Sequence, residues 1–293
     1  MVSAPLSGEV RDPQVTPRQA PWVLMYHSVD AYEQDPNLLT VMPERFARQM
    51  SWLAGRGLRG VGITELLHAH ARGEAASLVG LTFDDGYADF ARNVMPVLAR
   101  HGFSATVYVV AGRIGGHNEW DAGAPRKELL TVEQVGELAD AGVEIGSHGL
   151  MHVRMPGLGA AALLAETVSS REILEGITGR PVDGFCYPYG ALDRATVSAV
   201  RHAGYRYAVG IDHSELTGRW AVPRCYVGDH DGSWRLRAKR GRHLVRGLRT
   251  AVAARFGEAD GSGATGVLGP QGTPSPSAGA AGSLDAPTDG TSA

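Results

Sequence analysis

The strongest constraint on the fold is an alternation along the middle of the chain. Short apolar runs at 22–26, 79–83, 103–110, 143–145, 185–187 and 207–209 read as strands. Between them, 44–53, 88–100, 131–141, 159–177 and 194–202 carry apolar residues at helical spacing. Pro43 suits the first turn of its helix. Thr131 and Gln134 stand at capping-box spacing, with Gly142 as the stop. Alternation of this kind implies parallel strands joined by crossover helices. About seven strands within 22–234 predict an α/β fold, a distorted (β/α) barrel, rather than separate domains. In such barrels chemistry collects where the strands run out into loops at their C-terminal ends.

The ends of the chain differ from its middle. Residues 1–21, with Pro5, Pro13, Pro17 and Pro21, predict a flexible arm. Residues 257–293 are mostly Gly, Ser, Ala, Pro and Thr without Lys or Arg, and predict a disordered tail. Between barrel and tail lies a basic segment predicted to be helical, 235–256. The chain holds 28 Lys and Arg against 31 Asp and Glu, a net charge of −3. Seven of the basic residues and none of the acidic ones fall in 235–249, so the remainder carries −10. A molecule of that balance is not built to grip nucleic acid. The basic segment, with Leu236, Leu244, Val245 and Leu248 among its arginines, suits either a solvated or partner-docking arm or peripheral contact with an anionic membrane. No run of about 18 apolar residues and no signal-peptide pattern is present, and the two cysteines, Cys186 and Cys225, make no disulfide framework. These features lead to the expectation of a cytoplasmic chain.

The polar residues at the predicted strand ends converge. His27 follows the first strand, Asp84-Asp85-Gly86 the second, Gly146-Ser147-His148 with His152 the fourth, and Pro188-Tyr189-Gly190 the fifth. His148 and His152 are four apart, so on a helical turn both rings would face one way. Imidazole pairs at this spacing hold divalent transition metals, and Asp85 can supply a third ligand. A lone pair of histidines is more often an ordinary surface feature; beside Asp84 and Asp85 the metal reading prevails. Gly86 allows a turn that brings both carboxylates to one pocket. Asp84 would then be free to accept a proton from water.

These residues resemble the polysaccharide deacetylase family (carbohydrate esterase family four, the NodB homology domain). The family's T-F-D-D-G motif stands here as Thr82-Phe83-Asp84-Asp85-Gly86, and its H-[ST]-x-x-H motif as His148 to His152 with Gly at 149. The third motif, R-x-P-[YF]-G, reads Cys186-Tyr187-Pro188-Tyr189-Gly190, so its arginine is missing. The family's C-terminal Leu-x-His is also missing. A circularly permuted subgroup, which the poly-N-acetylglucosamine deacetylases resemble, begins instead with a strand ending in Tyr-His, as Tyr26-His27 does here.

The resemblance implies a metal-dependent hydrolase that removes N-acetyl groups from an amino sugar or glycan. It implies one divalent ion, zinc with cobalt or nickel as alternatives, on Asp85, His148 and His152. It further implies Asp84 as general base, His27 as general acid and the Tyr189 backbone N–H as an oxyanion donor. Arg224 is the candidate to replace the absent arginine beside Asp84. The same centre could cleave an O-acetyl ester or another amide, and a barrel that has lost catalysis could simply hold a glycan. A cytoplasmic enzyme would meet a small, lipid-linked or nucleotide-linked amino sugar. Trp120, Tyr187 and Tyr189 are candidates to stack on sugar faces.

Overall fold

The computed structural model describes residues 15–16 and 20–257. The predicted tail beyond residue 257 and most of the predicted arm lie outside the described residues. In chain order the strands are β1 Val23–Tyr26, β2 Ser28–Val29, β3 Thr40–Val41, β4 Arg59–Val61, β5 Leu78–Phe83, β6 Thr106–Val109, β7 Glu144–Ser147, β8 Gly184–Cys186, β9 Tyr207–Val209 and β10 Cys225–Tyr226. The α-helices are α1 Pro43–Ala54, α2 Ile63–Ala71, α3 Met95–His101, α4 Val132–Asp140, α5 Ala160–Leu164, α6 Ser170–Thr178, α7 Arg194–His202 and α8 Ser233–Gly257. The Thr131/Gln134 capping box forms at the start of α4 with both of its hydrogen bonds. Strand β4 and helix α2 are not among the elements expected from the sequence.

The main sheet runs β10-β1-β5-β6-β7-β8-β9, and every strand pair in it is parallel. Strand β4 pairs with residues 78–80 of β5, on the edge that β6 takes over at Thr82 and Phe83. The segment 222–226 joins the sheet's two ends. Val222 bridges Val209 in parallel, the Arg224 amide donates to the Ile211 carbonyl, and Cys225 and Tyr226 pair with Leu24 and Met25 of β1. The result is the distorted (β/α) barrel expected from the alternation.

Alternate strand residues serve two layers, as the pleat requires. Leu24, Tyr26, Leu81, Phe83, Val107, Val109, Ile145 and Phe185 pack outward under the helices. Val23, Val61, Tyr108, Cys186, Tyr207, Val209 and Val222 form a separate cluster inside the barrel, which Val15 and Ala20 join. Two glycines make room for the inner aromatic rings. A Cβ on Gly146 would lie 2.5 Å from the Tyr108 ring, and one on Gly184 would lie 2.2 Å from the Tyr207 hydroxyl. The two tyrosines, with Glu144 accepting from the Tyr207 hydroxyl and from Thr106 Oγ1, plug the barrel. Thr82, Cys186 and Arg224 are the next polar layer toward the strand C-termini, and the candidate site begins there.

Candidate active site

Strand β5 delivers Asp84 and Asp85 to the barrel mouth. The Asp84 amide still donates to the Tyr26 carbonyl at 3.0 Å, so Asp84 continues the ladder. Asp85 and Gly86 then both take φ of 72°, and this left-handed pair reverses the chain. A non-glycine residue held there is strained, and the turn keeps both carboxylates buried on one side of the barrel.

The histidine pair reaches the same mouth from β7. The sequence suggested a helical turn over 148–152, but the structure has an irregular one. Gly149 sits at φ 80° and His152 at φ 58°. The buried Glu166 carboxylate explains the turn, because it accepts from the Leu150 amide at 2.8 Å and from the Met151 amide at 3.2 Å. Glu166 lies in a π-helical stretch, 165–169, between α5 and α6. A Cβ at position 149 would meet Glu166 Oε2 at 2.6 Å. Glycine at 149, the departure from the family motif, is therefore what this capped turn requires.

Asp85, His148 and His152 offer ligand atoms that all lie within 4.8 Å of one another. His148 Nε2 and His152 Nε2 each stand 3.3 Å from Asp85 Oδ1. His148 Nδ1 is 2.9 Å from the Cys186 carbonyl oxygen, which can only accept. In the neutral ring the proton is therefore on Nδ1, and Nε2 turns its lone pair toward Asp85. Asp85 Oδ1 is buried with no hydrogen-bond donor. Burial alone would push the Asp85 carboxyl up; with the two imidazoles protonated on Nε2, their hydrogen bonds and charge outweigh it and hold the group well below the usual carboxylate range. With neutral rings, the two imidazole nitrogens and the Asp85 oxygen form a set of three electron-pair donors that a divalent cation would fit. Two imidazoles and one carboxylate suit zinc and its neighbours, with coordination positions to spare.

Asp84 is in a different state. Arg224 Nη1 and Nη2 grip its two oxygens at 2.6 and 2.8 Å, a buried bidentate pair. The guanidinium is itself fixed by Nε donating to the Gly210 carbonyl at 2.9 Å and Nη1 to Thr82 Oγ1 at 3.1 Å. Burial raises the Asp84 carboxyl; the Arg224 charge and hydrogen bonds, helped by His148 and His27, reverse this and hold it below the usual range. Cys186, at the place of the motif's missing arginine, lies 3.1 Å from Arg224 Nη2, and its thiol donates to Asp84 Oδ2 at 3.6 Å. The small side chain at 186 leaves room for a guanidinium arriving from the segment that closes the barrel. A second trio, Asp84, His148 and Cys186, also has ligand atoms within 4.8 Å. Arg224 already neutralises that trio's carboxylate, and burial pushes the Cys186 thiol up, so this trio suits a cation less well.

His27 follows β1, with Nε2 3.9 Å from Asp84 Oδ2, and its side chain is 14% exposed. Tyr189 has φ 59°, and its ring stands 4.6 Å from the His152 ring with the Arg154 guanidinium over it. Trp120, from the long loop after β6, stacks on the other side of His152 at 4.5 Å. Tyr187 is fully buried and donates to the Trp220 carbonyl at 2.9 Å, so it belongs to the core and is no sugar platform. The sequence reading missed Glu166, the Cys186 contacts and the Trp120 stack on His152. A conspicuous signal existed for none of them, since each acts across the fold.

The family model described as polysaccharide deacetylase matches residues 71–208. Among curated proteins, YxkH of Bacillus subtilis, whose name assigns it to the polysaccharide deacetylases, is 29% identical over 210 residues, 70% of each chain. A poly-beta-1,6-N-acetyl-D-glucosamine N-deacetylase of Staphylococcus aureus is 19% identical over 203 residues, covering 65% of this chain and 68% of that one. Among solved structures, the Streptococcus pyogenes deacetylase PplD in complex with acetate superposes with a TM-score of 0.66. It is 22% identical and covers 75% of this chain and 97% of that one, a likeness of fold. Over residues 71–208 the chain is similar to the polysaccharide deacetylase family.

Proposed function

We propose that this protein removes N-acetyl groups from an amino sugar or glycan in a metal-dependent hydrolysis, breaking the amide C–N bond to release acetate. The observation that carries the reading is the buried cluster of ligand atoms on Asp85, His148 and His152 beside an arginine-held Asp84. The names of the curated relatives support an N-acetylated carbohydrate substrate.

Asp85, His148 and His152 would hold a divalent ion, zinc by their donor set, which would supply Lewis acidity toward water and the acetyl carbonyl. Asp84 takes the proton from the attacking water, and the Arg224 fork fixes its oxygens while it does so. The Tyr189 backbone N–H donates to the oxygen on which charge develops. His27, at the rim, gives a proton to the departing amine. Trp120 and Tyr189 border the approach to His152, where an apolar acetyl methyl or a sugar face would lie.

The test is acetate release from a panel of N-acetylated sugars and glycans, with acetyl-xylan and aryl acetates as ester controls, after metal removal and readdition. The reading expects amide turnover that is lost on chelation and restored by zinc, cobalt or nickel. Turnover of the esters alone, or glycan binding without acetate release at any metal, would overturn it.

A further inference from the structure

The outer face of α8 has no role in the chemistry above. Its inner face is anchored: Leu236 is fully buried in the main core, Gly247 is buried, and His243 Nε2 donates to the Ala20 carbonyl at 3.0 Å. At about 100° per residue, Trp234, Gly241, Val245, Leu248 and Val252 fall along one line opposite that anchor, with Leu244 beside it. The five large side chains of this face are between 46% and 71% exposed. Among the described residues eleven large apolar side chains are exposed; five are on this helix and the other six are scattered. An ordinary solvated helix face does not gather them this way.

Cations border the apolar line. Arg235, Arg242, Arg246 and Arg249 lie along one side and Arg237 along the other, and no acidic residue occurs between 233 and 257. Arg246 pairs with Asp212, and Lys239, nearer the anchored side, pairs with Asp231. Arg240 covers the Trp22 ring, and Arg235 lies over Trp234. Arg237, Arg242 and Arg249 meet no carboxylate among the described residues. The rest of the chain is acidic, so this concentration of positive charge is confined to one helix.

We propose that the outer face of α8 docks on an anionic lipid surface, its apolar line entering the headgroup–acyl boundary and its flanking arginines meeting lipid phosphates. An apolar stripe fringed by cations on a helix held flat against a folded body is the arrangement that an anionic bilayer surface complements. No described helix is long and apolar enough to cross a membrane, so the contact is peripheral. The helix starts beyond β10, at the barrel end that bears Asp84 and His27. There Trp234 lines a groove of about 470 Å³ with Tyr32, Leu38 and Tyr226. Docking along α8 therefore lays the β1–β10 side of the barrel against the lipid surface, with the start of the helix near the mouth. The proposal does not depend on which acetylated substrate is cleaved.

The experiment is co-sedimentation of the full chain with large vesicles of phosphatidylcholine, alone or mixed with phosphatidylglycerol. Binding is expected to the mixed vesicles and not to phosphatidylcholine alone, and it should weaken as salt rises. The double variant Val245→Asp/Leu248→Asp should bind at least about ten-fold more weakly. Arg242→Gln/Arg249→Gln, which leaves the apolar line intact, should lose about five-fold per charge removed. Both variants should melt at the parent temperature, since all four positions are on the surface. No binding to the mixed vesicles, or binding that neither variant weakens, would overturn the proposal. So would a stable dimer that Val245→Asp/Leu248→Asp splits, because the stripe would then be covered by a second copy of the chain.

Discussion

Asp84 and Asp85 are neighbours in sequence and both buried, and they differ in their partners. Asp84 is a completed ion pair: each oxygen has a guanidinium N–H, and the guanidinium has its own carbonyl and hydroxyl partners. Asp85 is an incomplete one, with a buried oxygen that faces two imidazole nitrogens and receives no hydrogen bond. Burying either carboxylate without compensation would cost several kcal/mol. The fold supplies the compensation for Asp84 from its own chain through Arg224. Under the proposed function, a bound cation would supply it for Asp85, so one region would stay charged and oriented while the other takes up an ion.

The sharpest way to break this contrast is to separate metal retention from turnover. Asp85→Ala or His148→Ala should lose the stoichiometric ion by elemental analysis, and acetate release with it. Asp84→Asn should retain the ion and still lose about 10²- to 10⁴-fold in kcat. Near-native turnover by Asp84→Asn would remove its role as base, and loss of the ion from that variant would erase the difference between the two carboxylates.

Arg224 tests the completed side. Arg224→Ala strands a buried carboxylate and should cost about 3–5 kcal/mol of stability, read from denaturant unfolding. The paired Asp84 carboxyl is lower in the folded state than in the unfolded chain. Its stabilisation is thus present at neutral pH and fades as pH falls below the ordinary carboxylate range. Arg224→Lys, which keeps the charge but not the fork, should show a smaller loss of Tm at neutral pH and a flatter decline toward acid. An unchanged activity and pH profile in both variants would end the idea that Arg224 orients Asp84.

The smallest effects belong to the scaffold of the incomplete side. Glu166→Ala removes the acceptor for the Leu150 and Met151 amides, and should weaken metal affinity about 10- to 100-fold in a chelator competition. Gly149→Ala adds a Cβ at a left-handed φ and against Glu166 Oε2, so it should destabilise by about 1–3 kcal/mol. A Gly149→Ala protein as stable as the parent would mean that the Glu166 cap shifts freely.

Much of this was legible in the chain because it is local. The capping box at Thr131, the strand of residues 79–83 and the turn at Gly86 are decided by residues within a few positions of one another. The Asp84-Asp85 and His148/His152 pairs stand at strand ends, and parallel strands bring their C-termini to one side. The helical turn expected between His148 and His152 is absent because an accepting carboxylate sixteen residues on from Leu150 competes for its amides. Tyr187 looked like a platform because its neighbours lie at the mouth, yet the pleat turns it outward into the core.

The sequence by itself determined the barrel's layering, the two carboxylates and the imidazole pair, since periodicity and short motifs depend on contacts within a turn or a strand. Tertiary structure decided that the guanidinium 140 residues from Asp84, which the resemblance offered only as a candidate, grips both oxygens of that carboxylate and leaves Asp85 to the two imidazoles. Charge pairing acts through space over a few ångströms. Which charges come that close is settled by how residues 222–226 close the sheet, and no local pattern in the chain encodes that closure.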